Sequence, residues 1–255
     1  PKGLAVLPML CITVACGAIS GFHATQSPIV ARTLAHEKQA RATFFGMMIL
    51  EGVIAMIWAA SALAIYNLVP ENLSLAGPVV LNNIATHFLG NWMGGVTVLA
   101  VVVLAITSGD TALRSSRLSL AEMLSVRQVK ISSRIATCVP LTVIVCGLLW
   151  WSNRDAKSFG FLWNYFAWGN QVISATVLLS ATVWLMRNGR SLKALVAFLP
   201  GAFMTAVVST FILWASPEKG QVWGFALSMP VALSVSALIV ILCCIFVIRR
   251  SRQRI

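Results

Sequence analysis

The stretch Ser20-Gly21-Phe22-His23-Ala24-Thr25-Gln26-Ser27-Pro28 gathers an imidazole, an amide and three hydroxyls within nine positions. It directly follows Leu4 to Ile19, a run without a single charge. Gly21 removes side-chain restraint, and Pro28 lacks an N–H and disfavours helical geometry at Ser27. In a bilayer the freed backbone groups find no water, so irregular chain survives there only against protein or a wet cavity. The pattern therefore predicts a helix broken to hold a small polar ligand, with Ser20, Gly21, His23, Thr25, Gln26 and Ser27 as binding residues. A half-helix beginning near Ser27-Pro28 would offer N–H groups to a carboxylate. An imidazole is the side chain suited to exchanging a proton near physiological pH, so His23 is a candidate proton carrier. Equally, it could bond a loosened carbonyl and keep its charge state.

Further polar groups interrupt other apolar runs. Thr107-Ser108-Gly109-Asp110-Thr111 brings hydroxyl, carbonyl and carboxylate oxygens together, a set suited to a hard cation or a proton. The competing reading makes Asp110 a helix cap or an ion-pair partner of Arg114. Glu51 stands among apolar neighbours, so it must be neutral, partnered or beside a cavity, and it is a second candidate for ion coupling. Asn164, Asn170, Gln171 and Ser174 fall in one apolar run, with Asn170 and Ser174 a helical turn apart. Interhelical hydrogen bonding is the ordinary role for such residues, and Asn170 is also a candidate to line the binding site. Gly94-Gly95 suits a close helix approach. The cysteines (Cys11, Cys16, Cys138, Cys146, Cys243, Cys244) lie inside apolar runs without metal-site spacing and read as packing residues. No catalytic group, metal site or cofactor is expected.

These residues need a scaffold, and composition names it. The chain is 58% hydrophobic and 10% charged, with mean hydropathy +0.86, which describes an integral membrane protein of all-α, polytopic class. Seven spans are expected, at about 4–20, 43–66, 93–108, 135–151, 161–186, 192–214 and 224–248, the first of them broken. A net charge of +12 would elsewhere suggest nucleic acid. Here 15 of the 19 Lys and Arg residues fall in alternate connections or after the last span, which excludes that class in favour of topology. The positive-inside rule puts the N-terminus outside and the C-terminus in the cytoplasm. Trp92, Trp150, Trp151, Trp163, Trp214 and Trp223 mark the outer interface. Two connections carry helical patterns of their own. Leu81, Ile84, Ala85 and Phe88 share one face of an outer amphipathic helix, and Leu113 to Leu124 reads as a cytoplasmic interfacial helix.

Ala15-Cys16-Gly17-Ala18-Ile19-Ser20-Gly21-Phe22-His23-Ala24-Thr25-Gln26-Ser27-Pro28 closely resembles the hallmark of the carbon starvation protein A (CstA) family, and Thr107 to Ser115 resembles a second family stretch. The likeness runs through the whole chain, but family members are longer, with more spans upstream. The resemblance implies an inner-membrane transporter of bacteria or archaea, linked to carbon starvation, taking up pyruvate or peptides with a coupling proton or sodium ion. It also implies the second half of a leucine-transporter-type inverted-repeat fold, whose first broken helix would lie in the missing N-terminal spans. On that analogy a chain with this portion alone would not transport.

Two other classes compete: a receptor or light-driven protein, which seven spans suit, and an intramembrane enzyme. A retinal protein needs a lysine in its last span, and 224–248 has none. A ligand receptor or sensor has more even helices and no interrupted His-Thr-Gln-Ser segment. An intramembrane metalloenzyme would have to combine His23, Glu51 and Asp110, which no recognised spacing supports.

Overall fold

The computed structural model describes residues 11–12, 19–68, 77–217 and 223–252. Among these residues the chain is helical, with no strand. Two compact units emerge: one from Pro1–Thr25 with Ser152–Ile255, the other Gln26–Trp151. Among the described residues, six helices are long and apolar enough to cross a membrane. The expected first span, 4–20, lies outside the described residues except for helical Cys11 and Ile12 and the bend at Ile19–Ser20.

The first unit is built on a three-helix core. Helix α1 (Gly21–Ala31) starts in it. Helix α5 (Ala156–Arg187) begins at Asp155, whose carboxylate accepts from Ser158 N–H at 2.6 Å and so caps the first turn. It ends in a Schellman turn, where Gly189 takes φ +70° and Arg190 N–H reaches Leu185 O at 3.0 Å. That turn reverses the chain into α6 (Ser191–Trp214). Ile12 packs with Ala167, Val207, Phe211 and Ala215, so the described part of the first run joins the α5–α6 core. Helix α7 (Met229–Arg252) closes the unit through Ala232 against Leu213 and Trp214. Arg187 donates to Arg250 O at 2.9 Å, tying the end of α5 to the end of α7.

The last span starts at Met229 rather than 224, and the reason is a backbone need. Phe225, Ala226 and Leu227 donate to Ile212, Ala215 and Leu213 carbonyls at 3.0, 3.1 and 2.9 Å. Those carbonyls end α6 and would otherwise be orphaned in a region poor in water. Gly224 permits the approach, because a Cβ there would overlap Ile212 O.

The second unit contains α2 (Met47–Leu68), entered through a π-helical turn at Arg41–Gly46, then α3 (Gly77–Met123) and α4 (Ile131–Ser152). Helix α3 is two segments divided at Gly90, whose φ of +73° and ψ of 174° break the helical path. The first segment carries the amphipathic face expected from sequence; Ile84 and Ala85 are buried and Phe88 is exposed. It folds back on the second, since a Cβ on Gly94 would lie 2.9 Å from Ala85 O and Thr86 N. Gly95 meets nothing within 4 Å, so of the glycine pair Gly94 makes the close approach.

From residue 91 to 123 the second segment is unbroken, about 50 Å at 1.5 Å per residue. The expected end of a span at 108 and a separate interfacial helix from Leu113 are therefore one rod. Gly109 weakens a helix by only about 1 kcal/mol, and no proline follows to stop it. The rod ends in a second Schellman turn, with Val126 N–H on Ala121 O at 2.8 Å and Ser125 at φ +54°.

Candidate functional site

Ser20 stands immediately before α1, where the chain bends. Its hydroxyl oxygen accepts from Phe22 N–H at 3.2 Å, as an N-cap serine does, and His23 N–H bonds Ser20 O at 3.2 Å. Asn170 on α5 completes the junction. Its Oδ1 accepts the same Phe22 N–H at 2.9 Å, and its Nδ2 donates to Ser20 Oγ at 2.7 Å. Ser20 and Asn170 are both buried. One amide thus answers both the end of a helix and its cap, across 150 positions of sequence.

Gly21 makes this meeting possible. A Cβ there would overlap Asn170 O and stand 2.7 Å from Ile173 Cβ, so the chain at the head of α1 lies directly on the α5 backbone. Farther along α1, Thr25 donates to Phe22 O at 2.8 Å, and His23, Gln26 and Ser27 are half-buried. Gln171, wholly buried, and buried Ser174 continue the polar side of α5.

The irregular chain is shorter than the sequence implies. Residues 21–31 are helical through Ser27 and Pro28, so the half-helix starts at Gly21 and not near Ser27-Pro28. Pro28 is exposed and its missing N–H removes one rung, a loss that membrane helices tolerate. The N–H groups at the head of the helix are the ones near Ser20, and that of Phe22 already has Asn170.

The coupling candidates Glu51, Thr107, Ser108 and Asp110 belong to the second unit. Glu51 is the fifth residue of α2 and is exposed. Thr107 and Thr111 donate to carbonyls of their own helix, Leu104 O at 2.8 Å and Thr107 O at 3.0 Å. Asp110 pairs with Arg114 one turn on, at 3.2 Å, with both side chains more than half exposed. Hydroxyls folded onto their own helix do not converge as a cation cage, and the ion pair is the arrangement present. Among the described residues no three His, Cys, Asp or Glu side chains form a group able to hold a metal.

Sequence reasoning missed a second buried polar seam, between α6 and α7. Ser209 Oγ and Ser236 Oγ lie 2.7 Å apart, and Ser236 donates to Ala206 O at 3.0 Å. Trp168 Nε1 donates to Val208 O at 3.0 Å. The available signal was a set of hydroxyl residues inside two apolar runs, Thr205, Ser209 and Thr210 in one and Ser234 and Ser236 in the other.

An all-helical, multi-pass membrane protein whose polar helix break is sewn to a neighbouring span is the class these features define. The model of one family, carbon starvation protein CstA, matches residues 2–86 and 72–211, and the chain belongs to that family. An uncharacterized protein of Haemophilus influenzae is 40% identical over 129 residues, half of this chain and 87% of that protein. A peptide transporter, CstA, of Helicobacter pylori is 26% identical over 79% of this chain but only 38% of its own length. The pyruvate/proton symporter BtsT of Escherichia coli is 44% identical over 21% of the chain and 8% of its own length. The chain thus spans well under half of these two named transporters. No solved structure matches it.

Proposed function

We propose that this chain forms the substrate-holding part of a secondary transporter in the inner membrane of a bacterium or archaeon. It takes up pyruvate or small peptides, coupled to protons, when carbon is limiting. Its N-terminus is outside and its C-terminus cytoplasmic, as the distribution of basic residues favours. Family membership and the names of two transporter relatives support the substrate class. The observation that carries the reading is the junction of Ser20, Phe22 N–H and Asn170 at the start of α1. Backbone freed by a broken helix is held there by side chains that another ligand can also use.

In this mechanism the carboxylate or peptide group docks beside Ser20 and Gly21. Further along α1, His23, Thr25, Gln26 and Ser27 are the other candidate binding residues, and Asn170 fixes the head of the helix. Protonation of His23, Glu51 or Asp110 biases one orientation of the transporter, with Thr107 and Ser108 beside the last of these. Substrate-dependent accumulation separates this reading from a seven-span receptor. The test is uptake of labelled pyruvate and of a labelled dipeptide into proteoliposomes, with and without a proton gradient. The chain is compared alone and joined to the upstream spans of a longer relative. His23→Ala and Gln26→Ala should each lower uptake at least tenfold in the joined protein; uptake unaffected by both rejects the site. Uptake driven by sodium alone replaces the proton. A joined protein that moves neither solute leaves the chain a non-transporting fragment and rejects the transporter reading.

A further inference from the structure

Between residues 110 and 134, five basic side chains stand against two acidic ones. Three of the five, Arg114, Arg117 and Arg134, line a single cavity of 440 Å³ where the end of α3 turns into α4. Asp110 is the acidic residue of that lining, and Arg114 holds it at 3.2 Å. Three guanidinium groups against one carboxylate leave two positive charges for something else to balance.

Arg117 points to what is missing. Its Nε–H is shut off from solvent and meets no acceptor. A buried guanidinium N–H calls for an anionic oxygen, and the planar fork suits phosphate or carboxylate above other acceptors. Arg134 is held in place for the same task. Its Nε donates to Gln128 O at 2.8 Å across the turn, so the side chain is braced rather than loose. Thr142 on α4 adds a hydroxyl to the lining, while Leu113 and Leu141 give it apolar walls. Basic residues beside apolar ones at the end of membrane helices are the surroundings in which anionic headgroups bind.

We propose that this cavity binds a phosphate group through Arg114, Arg117 and Arg134, presented by an anionic phospholipid or as free phosphate. Two excess positive charges exceed what one carboxylate balances, and the leucine walls favour the lipid source. The inference stands apart from the substrate site at the head of α1 and does not need transport to be measured.

The test uses the purified chain in neutral detergent, with binding read by native mass spectrometry and by the shift in melting temperature. The additions are phosphatidylglycerol, phosphatidylcholine, inorganic phosphate and pyruvate, each alone and in competition. Phosphatidylglycerol should bind and stabilise where phosphatidylcholine does not. Arg117→Gln and Arg134→Gln should each weaken it roughly tenfold, the size expected for one charge-assisted hydrogen-bonding group. Arg249→Gln, outside the cavity, should leave it unchanged. Arg117→Lys keeps the charge but loses the fork, so a weakening there supports the geometry even where Arg117→Gln folds poorly. Displacement by inorganic phosphate assigns the free anion, and retention in its presence assigns the headgroup. Either supports a phosphate site. The proposal is overturned if Arg117→Gln, Arg117→Lys and Arg134→Gln bind like the unaltered chain. It is overturned equally if they differ no more than Arg249→Gln, or if pyruvate displaces the lipid where phosphate does not.

Discussion

The two compact units of this chain share hydroxyls folded onto their own helices, Thr176, Thr182 and Thr205 in the first among them, but they differ in the polar bridges between elements. In the unit of α5, α6 and α7, 44% of the most apolar stretch of α6 is buried, and polar side chains bridge one element to another. Asn170 reaches Ser20, Ser209 reaches Ser236, and Trp168 reaches Val208 O. In the unit of α2, α3 and α4 the corresponding shares in α2 and α3 are 6% each, and the hydroxyls of Thr97, Thr107 and Thr111 turn back to their own helices. A helix that satisfies its own hydroxyls and bares its apolar side chains is finished for lipid or for a partner span. One that sends amides and hydroxyls outward is finished for specific neighbours. The hallmark motif sits at the edge of the second kind.

The sharpest way to break this contrast is at glycine. Gly21→Ala puts a methyl into Asn170 O and Ile173, a collision with backbone that costs about 1–3 kcal/mol and more where neither side yields. Gly95→Ala meets open space in α3 and gains helix propensity of about 1 kcal/mol. Thermal unfolding of the purified chain in detergent should therefore move in opposite directions for the two. Equal shifts would show that the first unit is no more tightly specified than the second.

Asn170→Ala comes next. It strips the closer acceptor from Phe22 N–H and leaves the buried Ser20 hydroxyl without its amide donor, at a cost of about 1–3 kcal/mol. Thr107→Ala, by contrast, removes a hydroxyl bonded only to its own helix and should change stability by less than about 0.5 kcal/mol. Denaturant or thermal midpoints measure both. If the asparagine variant is as mild as the threonine one, the junction does not hold the head of α1.

How much of this was legible beforehand follows from which forces are local. Apolar runs and alternating basic connections gave the helical class and most helix positions, because a span is a property of consecutive residues. Ser20, Gly21 and Asn170 were each recognisable as unusual for a bilayer. Their meeting was not, since contact between residues 150 positions apart depends on tertiary packing. Pro28 misled by drawing the break downstream; an exposed proline removes one hydrogen bond without ending the helix. Gly109 misled in the same direction. The capping segment Phe225–Leu227 was hidden because its contribution is backbone N–H, which side-chain identity does not reveal.

A smaller effect sharpens the description of the second unit at its turn. Ser125 adopts φ +54°, the left-handed position that glycine fills in the matching turn at Gly189. Ser125→Gly should stabilise the chain by about 1 kcal/mol, and Gly189→Ser should destabilise it by a similar amount. Opposite shifts of the melting temperature check the pair. Shifts of the same sign would mean that the two turns do not share the Schellman geometry.

The smallest stability effect belongs to Asp110, and there the contrast bears on mechanism. Its pair with Arg114 is an exposed i,i+4 contact, worth about 0–1 kcal/mol before screening and less in salt. Asp110→Asn should therefore leave the melting temperature within about 1 °C of the original, since a few tenths of a kcal/mol moves a chain of this size little. A coupling role makes a separate demand on the same variant. Uptake by the joined, longer protein should lose its dependence on the proton gradient while substrate still binds, because a residue that carries charge through the cycle is needed for coupling rather than for folding. If Asp110→Asn alters neither stability nor gradient dependence, the carboxylate serves only its neighbouring arginine, and His23 and Glu51 become the remaining proton candidates.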